Sequence, residues 1–166
     1  MEVNIRLVKE SDNVALADII RSCFDDFQVS SCHRNGTVYT DPTTDQLYQL
    51  FQKERSTLFV AEDSNGLLGC CGIYPTENLP ENYGELVKFY LSSNARGKGV
   101  GKKLLSQTLE EAKRLGYEKI YLESIPEFSK AVSIYEKQGF TYLDEPLGNS
   151  GHTGCNLWMV KNIISS

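Results

Sequence analysis

The chain has 166 residues, 40% of them hydrophobic, and a net charge of −5, which fits one folded domain with a sizeable core and argues against a nucleic-acid-binding surface. No apolar run approaches the ~20 residues of a membrane span, and the opening stretch MEVNIRLVKE lacks a signal-peptide core. Five cysteines, two of them adjacent at Cys70 and Cys71, read as reduced thiols of a cytoplasmic protein rather than a disulfide framework.

Val3 to Val8 reads as a short strand, and Ser11 or Asp12 can cap the helix that follows. Leu16, Ile19, Ile20, Cys23, Phe24 and Phe27 form a helical stripe ending near Phe27. Gln28 to Asp41 is polar, contains an Asn-Gly turn signal, and is long enough for a compact domain to suggest function. Thr43 to Gln46 carries a capping-box pattern before a short helix with Leu47, Leu50 and Phe51 on its apolar side. Thr57–Glu62 and Leu67–Tyr74 are strands joined by Asp63-Ser64-Asn65-Gly66, which predicts an antiparallel hairpin. After the loop Pro75–Asn82 comes a strand, Glu85–Leu91, a turn, Ser92–Gly101, and a helix, Val100–Leu115. Lys119–Ser124 lies beyond that helix and should run parallel to Glu85–Leu91. A helix over Glu127–Gln138 stops at Gly139, and strands Phe140–Leu143 and Cys155–Lys161 flank the loop Asp144–Gly154. No repeat or linker interrupts the sequence, so residues 1–166 are expected to form a single domain.

The strand–turn–helix unit at 85–115 carries the clearest chemistry. The first N–H groups of a helix have no partner within it, and the helix dipole adds positive charge there. Gly97, Gly99 and Gly101 remove side chains that would hold an anion away, and Arg96, Lys98, Lys102 and Lys103 surround the turn. The pattern predicts a phosphate or pyrophosphate site. It is not a P-loop, which needs glycine at Arg96 and Ser or Thr at Lys103, nor a dinucleotide G-x-G-x-x-G turn, which needs glycine at Lys102.

Arg96, Gly99 and Gly101 do spell R-x-x-G-x-G, which resembles the pyrophosphate motif of the GNAT acyltransferases. A second segment agrees: a strand ending at Glu123, then Ala131, Tyr135, Gly139 and Phe140 in the family's A-x-x-x-Y-x-x-x-G-F spacing. The order of elements matches over essentially the whole chain. Gly36-Thr37, Tyr39, Asp41-Pro42 and the ending with Gly151-His152, Cys155 and Trp158-Met159 look like a subgroup of small bacterial members. The resemblance implies an α/β (α+β) GNAT fold: a mixed, mostly antiparallel sheet, helices on both faces, and a parallel strand pair at the acyl-CoA site.

It also implies an acetyl-CoA-dependent N-acetyltransferase acting by direct transfer in a ternary complex, with acetyl-CoA as cosubstrate and no metal. Phe89, Tyr90 and Leu91 would pair with the pantetheine arm, Arg96, Gly97, Lys98, Gly99, Val100, Gly101 and Lys102 would hold the pyrophosphate, and an N–H near Leu91 would polarise the thioester. Tyr135 corresponds to the general acid. Glu123 and Glu85 are the candidate bases, Glu123 ahead of Glu85. Phe128 stands where members with a Glu123-type base often carry a cofactor-contacting Asn, so it is left out of the site. The acceptor is a small amine, an amino acid or a peptide N-terminus, met by the loops Gln28–Asp41, Pro75–Asn82 and Asp144–Gly154. No nucleic-acid or membrane partner is expected, and the chain is a monomer or homodimer.

Competing readings are weaker. A CoA-binding sensor needs neither Tyr135 nor an acid beside it. A nucleotide-binding oxidoreductase or methyltransferase conflicts with the glycine spacing and the preceding hairpin. Cys23, Cys32, His33, His152 and Cys155 match no zinc spacing. A Cys155 nucleophile with His152 as base is disfavoured by its place on the final strand.

Overall fold

The computed structural model describes residues 2–148 and 154–164. Seven strands are present among them: β1 (Asn4–Leu7), β2 (Thr57–Asp63), β3 (Gly66–Tyr74), β4 (Tyr83–Leu91), β5 (Lys119–Ser124), β6 (Thr141–Leu143) and β7 (Leu157–Asn162). They form one sheet in the order β1-β2-β3-β4-β5-β7-β6. The helices are α1 (Asn13–Asp26), α2 (Ser31–Arg34), α3 (Leu47–Leu50), α4 (Val100–Arg114) and α5 (Ser129–Lys137). Every neighbouring pair is antiparallel except β4–β5, which is parallel because α4 crosses between them. The architecture is the expected one: a mixed, mostly antiparallel sheet with helices on both faces.

The sheet buries both faces. On one, α4 sets Leu104, Leu105, Leu109 and Ala112 against Ile73, Leu86, Ile120 and Met159. These helix positions are the predicted apolar stripe, and a fully buried leucine of this kind contributes roughly 1.5–3 kcal/mol. On the other face, Leu16, Ile20 and Phe24 of α1 pack with Leu47, Val60 and Cys70. The β2–β3 hairpin closes where the Asp63 carboxylate accepts the Asn65 N–H at 2.8 Å and Gly66 takes φ 129°.

Local differences from the sequence reading have physical causes. Asp12 precedes α1 but does not cap it. Its carboxylate accepts from Arg6 at 2.9 and 3.1 Å and from the Lys9 N–H at 2.7 Å. The residue that caps ahead of α3 is Asp41, which accepts the Thr43 N–H at 2.9 Å and opens a 3-10 turn over Pro42–Asp45. The long polar loop contains α2, capped by Ser30. The last helix begins at Ser129, with Phe128 at its N-cap, rather than at Glu127.

β4 contains a bulge. Its register against β3 steps from Gly72↔Val87 to Cys70↔Tyr90, so Lys88 and Phe89 share the place opposite Cys71. Lys88 adopts φ 58°, in the left-handed region that a lysine rarely occupies. The extra residue reverses the alternation of side chains. Leu86 and Phe89, three apart, both face α4, and Val87 and Tyr90 both face α1.

Candidate active site

The parallel pairing of β4 with β5 lasts for three residues, Tyr83↔Lys119, Gly84↔Ile120 and Glu85↔Tyr121. Past Glu85, β4 stays with β3 and β5 stays with β7, so the two central strands part. A cleft of about 180 Å³ opens in the gap. Phe89, Tyr90 and Leu91 line it from β4, Glu123 and Ser124 from β5, and Ala131, Ile134 and Tyr135 from α5. Among the described residues, no strand pairs with the backbone edge of β4 on this side from Leu86 onward. Phe128 closes the α1 side in an aromatic cluster, its ring 5.1 Å from Phe24, 5.7 Å from Phe27 and 5.8 Å from Tyr90. That packing accounts for a phenylalanine at this position.

At the mouth of the cleft lies the glycine turn. Gly97 and Gly99 take φ 80° and 77°, and a Cβ on either would meet nothing within 4 Å. The space over the turn is therefore open to a ligand, and side chains there would be strained by conformation rather than by collision. The first intrahelical bond of α4 runs from the Lys103 N–H to the Gly99 carbonyl at 3.2 Å, which leaves the N–H groups of Val100, Gly101 and Lys102 without a helical acceptor. Lys98, Lys102 and Lys103 are exposed around them. These features fit a pyrophosphate. Gly101 serves differently, since its added Cβ would lie 3.0 Å from Leu91 Cδ1 and 3.2 Å from Phe89 Cζ. It lets α4 press on β4.

Arg96 points inward. Its guanidinium donates to the Leu91 carbonyl at 2.9 Å, pairs with Asp26 at 3.0 Å and lies over the Phe27 ring at 4.7 Å. The Cys23 thiol donates to the same carbonyl at 3.2 Å. The arginine side chain thus ties the end of β4 to α1 and fixes the turn from behind.

The inner end of the cleft is polar. Glu85 is 3% exposed and accepts a hydrogen bond from the Thr76 hydroxyl. Burial pushes its carboxyl up to about 8; the nearby Glu123 adds to this, while Thr76 and Lys88 oppose it. Glu123 accepts from the Tyr121 hydroxyl at 2.6 Å, and that oxygen in turn accepts the Leu147 N–H at 3.0 Å. Tyr135 is buried, with ring centroids 5.8 Å from both Phe89 and Phe140. Burial raises its hydroxyl well above the usual phenol range, so it keeps its proton at neutral pH and is able to donate it. Burial likewise holds the Cys155 thiol up at about 12, far from the thiolate a nucleophile needs.

A family model described as "Acetyltransferase (GNAT) family" matches residues 15–140. The chain belongs to the GNAT acetyltransferase family. The match runs from α1 through Phe140 and so includes every residue lining the cleft except Cys155. The GNAT relatives include the uncharacterized N-acetyltransferase YjgM of Escherichia coli K12, 31% identical over 96% of this chain and 94% of that one. Among solved structures, a GNAT acetyltransferase of Staphylococcus aureus Mu50 superposes with a TM-score of 0.81 at 20% identity, covering 98% of this chain and 100% of the other. YncA of Salmonella typhimurium, a putative acetyltransferase solved with acetyl-CoA, superposes with a TM-score of 0.75 at 20% identity, covering 100% and 96%.

In this GNAT chain the candidate residues named from sequence gather along one cleft. Glu85, Phe89, Tyr90, Leu91, Arg96, Gly97, Glu123 and Tyr135 all line it. Lys98, Gly99, Val100, Gly101 and Lys102 complete the turn and helix start at its mouth. Sequence reasoning missed Lys88, Thr76 and the bridge between His33 of α2 and Glu127, which fastens the long loop beside the cleft. Lys88 had a visible signal, a lone cation inside the apolar strand ELVKFYL. Thr76 and the bridge had none. Among the described residues, no group of three or more His, Cys, Asp or Glu side chains could hold a metal ion, and His152 lies outside them.

Proposed function

We propose that residues 1–166 form a single GNAT domain that transfers an acetyl group from acetyl-CoA to the primary amine of an acceptor, directly and within a ternary complex. The observation that carries this reading is the early parting of β4 from β5, which bares a strand edge leading to an open, positively flanked helix start. The pantetheine arm extends along Phe89–Leu91. The pyrophosphate rests on the N–H groups of Gly97–Lys102, with Lys98 and Lys102 supplying charge. Backbone N–H groups of the Phe89–Leu91 segment polarise the thioester carbonyl.

Only a neutral amine attacks. Glu85 is the better placed base, reversing the ranking drawn from sequence. Its carboxyl near 8 is far closer to the task than an ordinary glutamate near 4.3. Glu123, held by Tyr121, orients the amine or a bridging water. The amine nitrogen bonds to the acetyl carbon, the C–S bond breaks, and Tyr135 gives its proton to the departing sulfur. Two features support a cytoplasmic setting: every cysteine is a free thiol, and no helix of the described residues is long and apolar enough to cross a membrane.

The test is release of free CoA thiol on mixing the protein and acetyl-CoA with a panel of small amines, amino acids and peptides. Acceptor-dependent release supports acetyl transfer. Tight acetyl-CoA binding with no release for any acceptor class would sink it.

A further inference from the structure

A second cleft lies next to the first, between the Asp41–Thr43 turn and the Tyr74–Glu77 loop. Glu85, Val87 and Lys88 line both. The second cleft thus reaches the polar inner end of the donor cleft from the side away from the glycine turn, as an acceptor entry would.

Lys88 stands at this junction. The bulge gives it the φ of 58° that takes it out of the strand's alternation, and it is 6% exposed. A buried ammonium is costly unless it is paired and hydrogen-bonded. The Lys88 carbonyl accepts from the Cys70 thiol at 3.0 Å, but among the described residues the ammonium makes no hydrogen bond or ion pair, and attraction comes through space from Asp41 and then Glu85. Asp41 is itself engaged by the Thr43 N–H at 2.9 Å and the Thr43 hydroxyl at 2.7 Å. A lysine kept only to hold the fold would satisfy its donors. This one is held in a strained backbone position, at the point where the two clefts meet, with its ammonium directed to the clefts rather than to a partner among the described residues.

We propose that Lys88 binds a carboxylate on the acceptor, which is therefore an amino acid or another amine bearing a carboxylate close to its amino group. This rests on the acetyl-transfer reading. The charges around the junction suit such a zwitterion. Glu123, and Glu85 once it has lost its proton, face the amine, and Lys88 faces the acid group. Lys53 is a second cation at the rim of the entry, 6.0 Å from the Tyr74 ring centroid. A phosphate dianion would meet Asp41 and Glu77 in the same entry with one buried cation to answer them, so a monoanion fits better. Burial also pushes the Lys88 ammonium below its ordinary range, and an arriving carboxylate would reverse that cost.

The test compares matched acceptors on the wild-type protein: L-amino acids, their carboxamides and the amines lacking the carboxyl group, each read as kcat/KM by thiol release. A carboxamide has the less basic amine and more of it neutral, so amine reactivity alone would favour the amide. The free acids should nevertheless be better by about 10- to 100-fold, the range of a hydrogen bond between charged groups. In Lys88→Met that ratio should fall towards one, and in Lys88→Arg most of it should remain. Carboxamides, plain amines or C-terminally blocked peptides turned over as well as free acids by the wild type would overturn the proposal and leave acetyl transfer standing. An acid preference that survives Lys88→Met would overturn the role of Lys88. Silence towards every acceptor would instead remove the acetyl-transfer reading and this inference with it. The wild-type comparison decides the acceptor class even if Lys88→Met fails to fold.

Discussion

Replacing Glu85 with glutamine should stabilise the fold, and the gain should grow with pH. In the folded chain burial lifts this carboxyl from 4.5 to about 8. Between those values the folded state keeps a proton that the unfolded chain has released, so the unfolding free energy of the wild type falls as pH rises through the interval. At 1.36 kcal/mol per pH unit the span sets a ceiling of about 5 kcal/mol. Relaxation and water entering the cleft reduce it, and about 2–3 kcal/mol is the expected size. Glutamine has nearly the same shape, accepts the same Thr76 hydrogen bond and never ionises. Glu85→Gln should therefore match the wild type near pH 4.5 and exceed it by about 2–3 kcal/mol near pH 8.5. Urea unfolding at the two pH values measures the difference, provided the slopes agree. A gap of equal size at both would refute the argument, because it would mean that Glu85 titrates as an ordinary surface carboxylate. The proposed role adds a second reading of the same variant: turnover should fall, and the acid limb of the rate–pH profile, centred near 8 in the wild type, should disappear.

Tyr135→Phe should retain acetyl-CoA affinity and packing against Phe89 and Phe140 but lower turnover by roughly 10²- to 10⁴-fold, the cost of a lost proton donor; normal turnover would make the tyrosine structural. Gly99→Val should weaken acetyl-CoA binding in calorimetry at least tenfold, on the order of 1.4 kcal/mol, by filling the open space over the turn and straining a φ of 77°. Unchanged affinity would remove the phosphate site. Glu123→Gln should lower turnover less than Glu85→Gln and move the acid limb modestly to lower pH, because the charge that helps raise the Glu85 carboxyl is gone while Tyr121 can still donate to the amide oxygen; a larger loss of turnover than in Glu85→Gln would restore Glu123 as the base.

Much of the frame was legible because it depends on local pattern. The α4 stripe, the hairpin at Asp63–Gly66 and the parallel β4–β5 pair each follow from spacing or from turn chemistry, and the structure has all three. The glycine turn was legible as an open turn leading into a helix start ringed by lysines, although Gly101 proved to be a packing residue and the Arg96 side chain a strut. The different surroundings of the two glutamates were not legible. Glu85 and Glu123 both sit on central strands, and their difference comes from what lies over them: Thr76 and a buried surround for one, the Tyr121 hydroxyl for the other. The bulge was also invisible, since ELVKFYL reads as continuous strand whether or not Lys88 takes a left-handed φ. Without the bulge, Leu86 and Phe89 would fall on opposite faces, and the lysine would not reach the junction of the clefts.

The three-residue seam between β4 and β5 divides the sheet's backbone into two ladders, β1 to β4 and β5 to β7, bridged on one face by the core under α4. Anything that lies along the bared edge of β4 acts as a temporary strand between them. Amides of Leu86 to Leu91 that face the gap should exchange with solvent readily in the free protein and slow when the gap is filled, and β7, two strands away, should tighten with them. Donor loading along the bared edge would then be felt as a seam being sewn, drawing the two halves of the sheet into one.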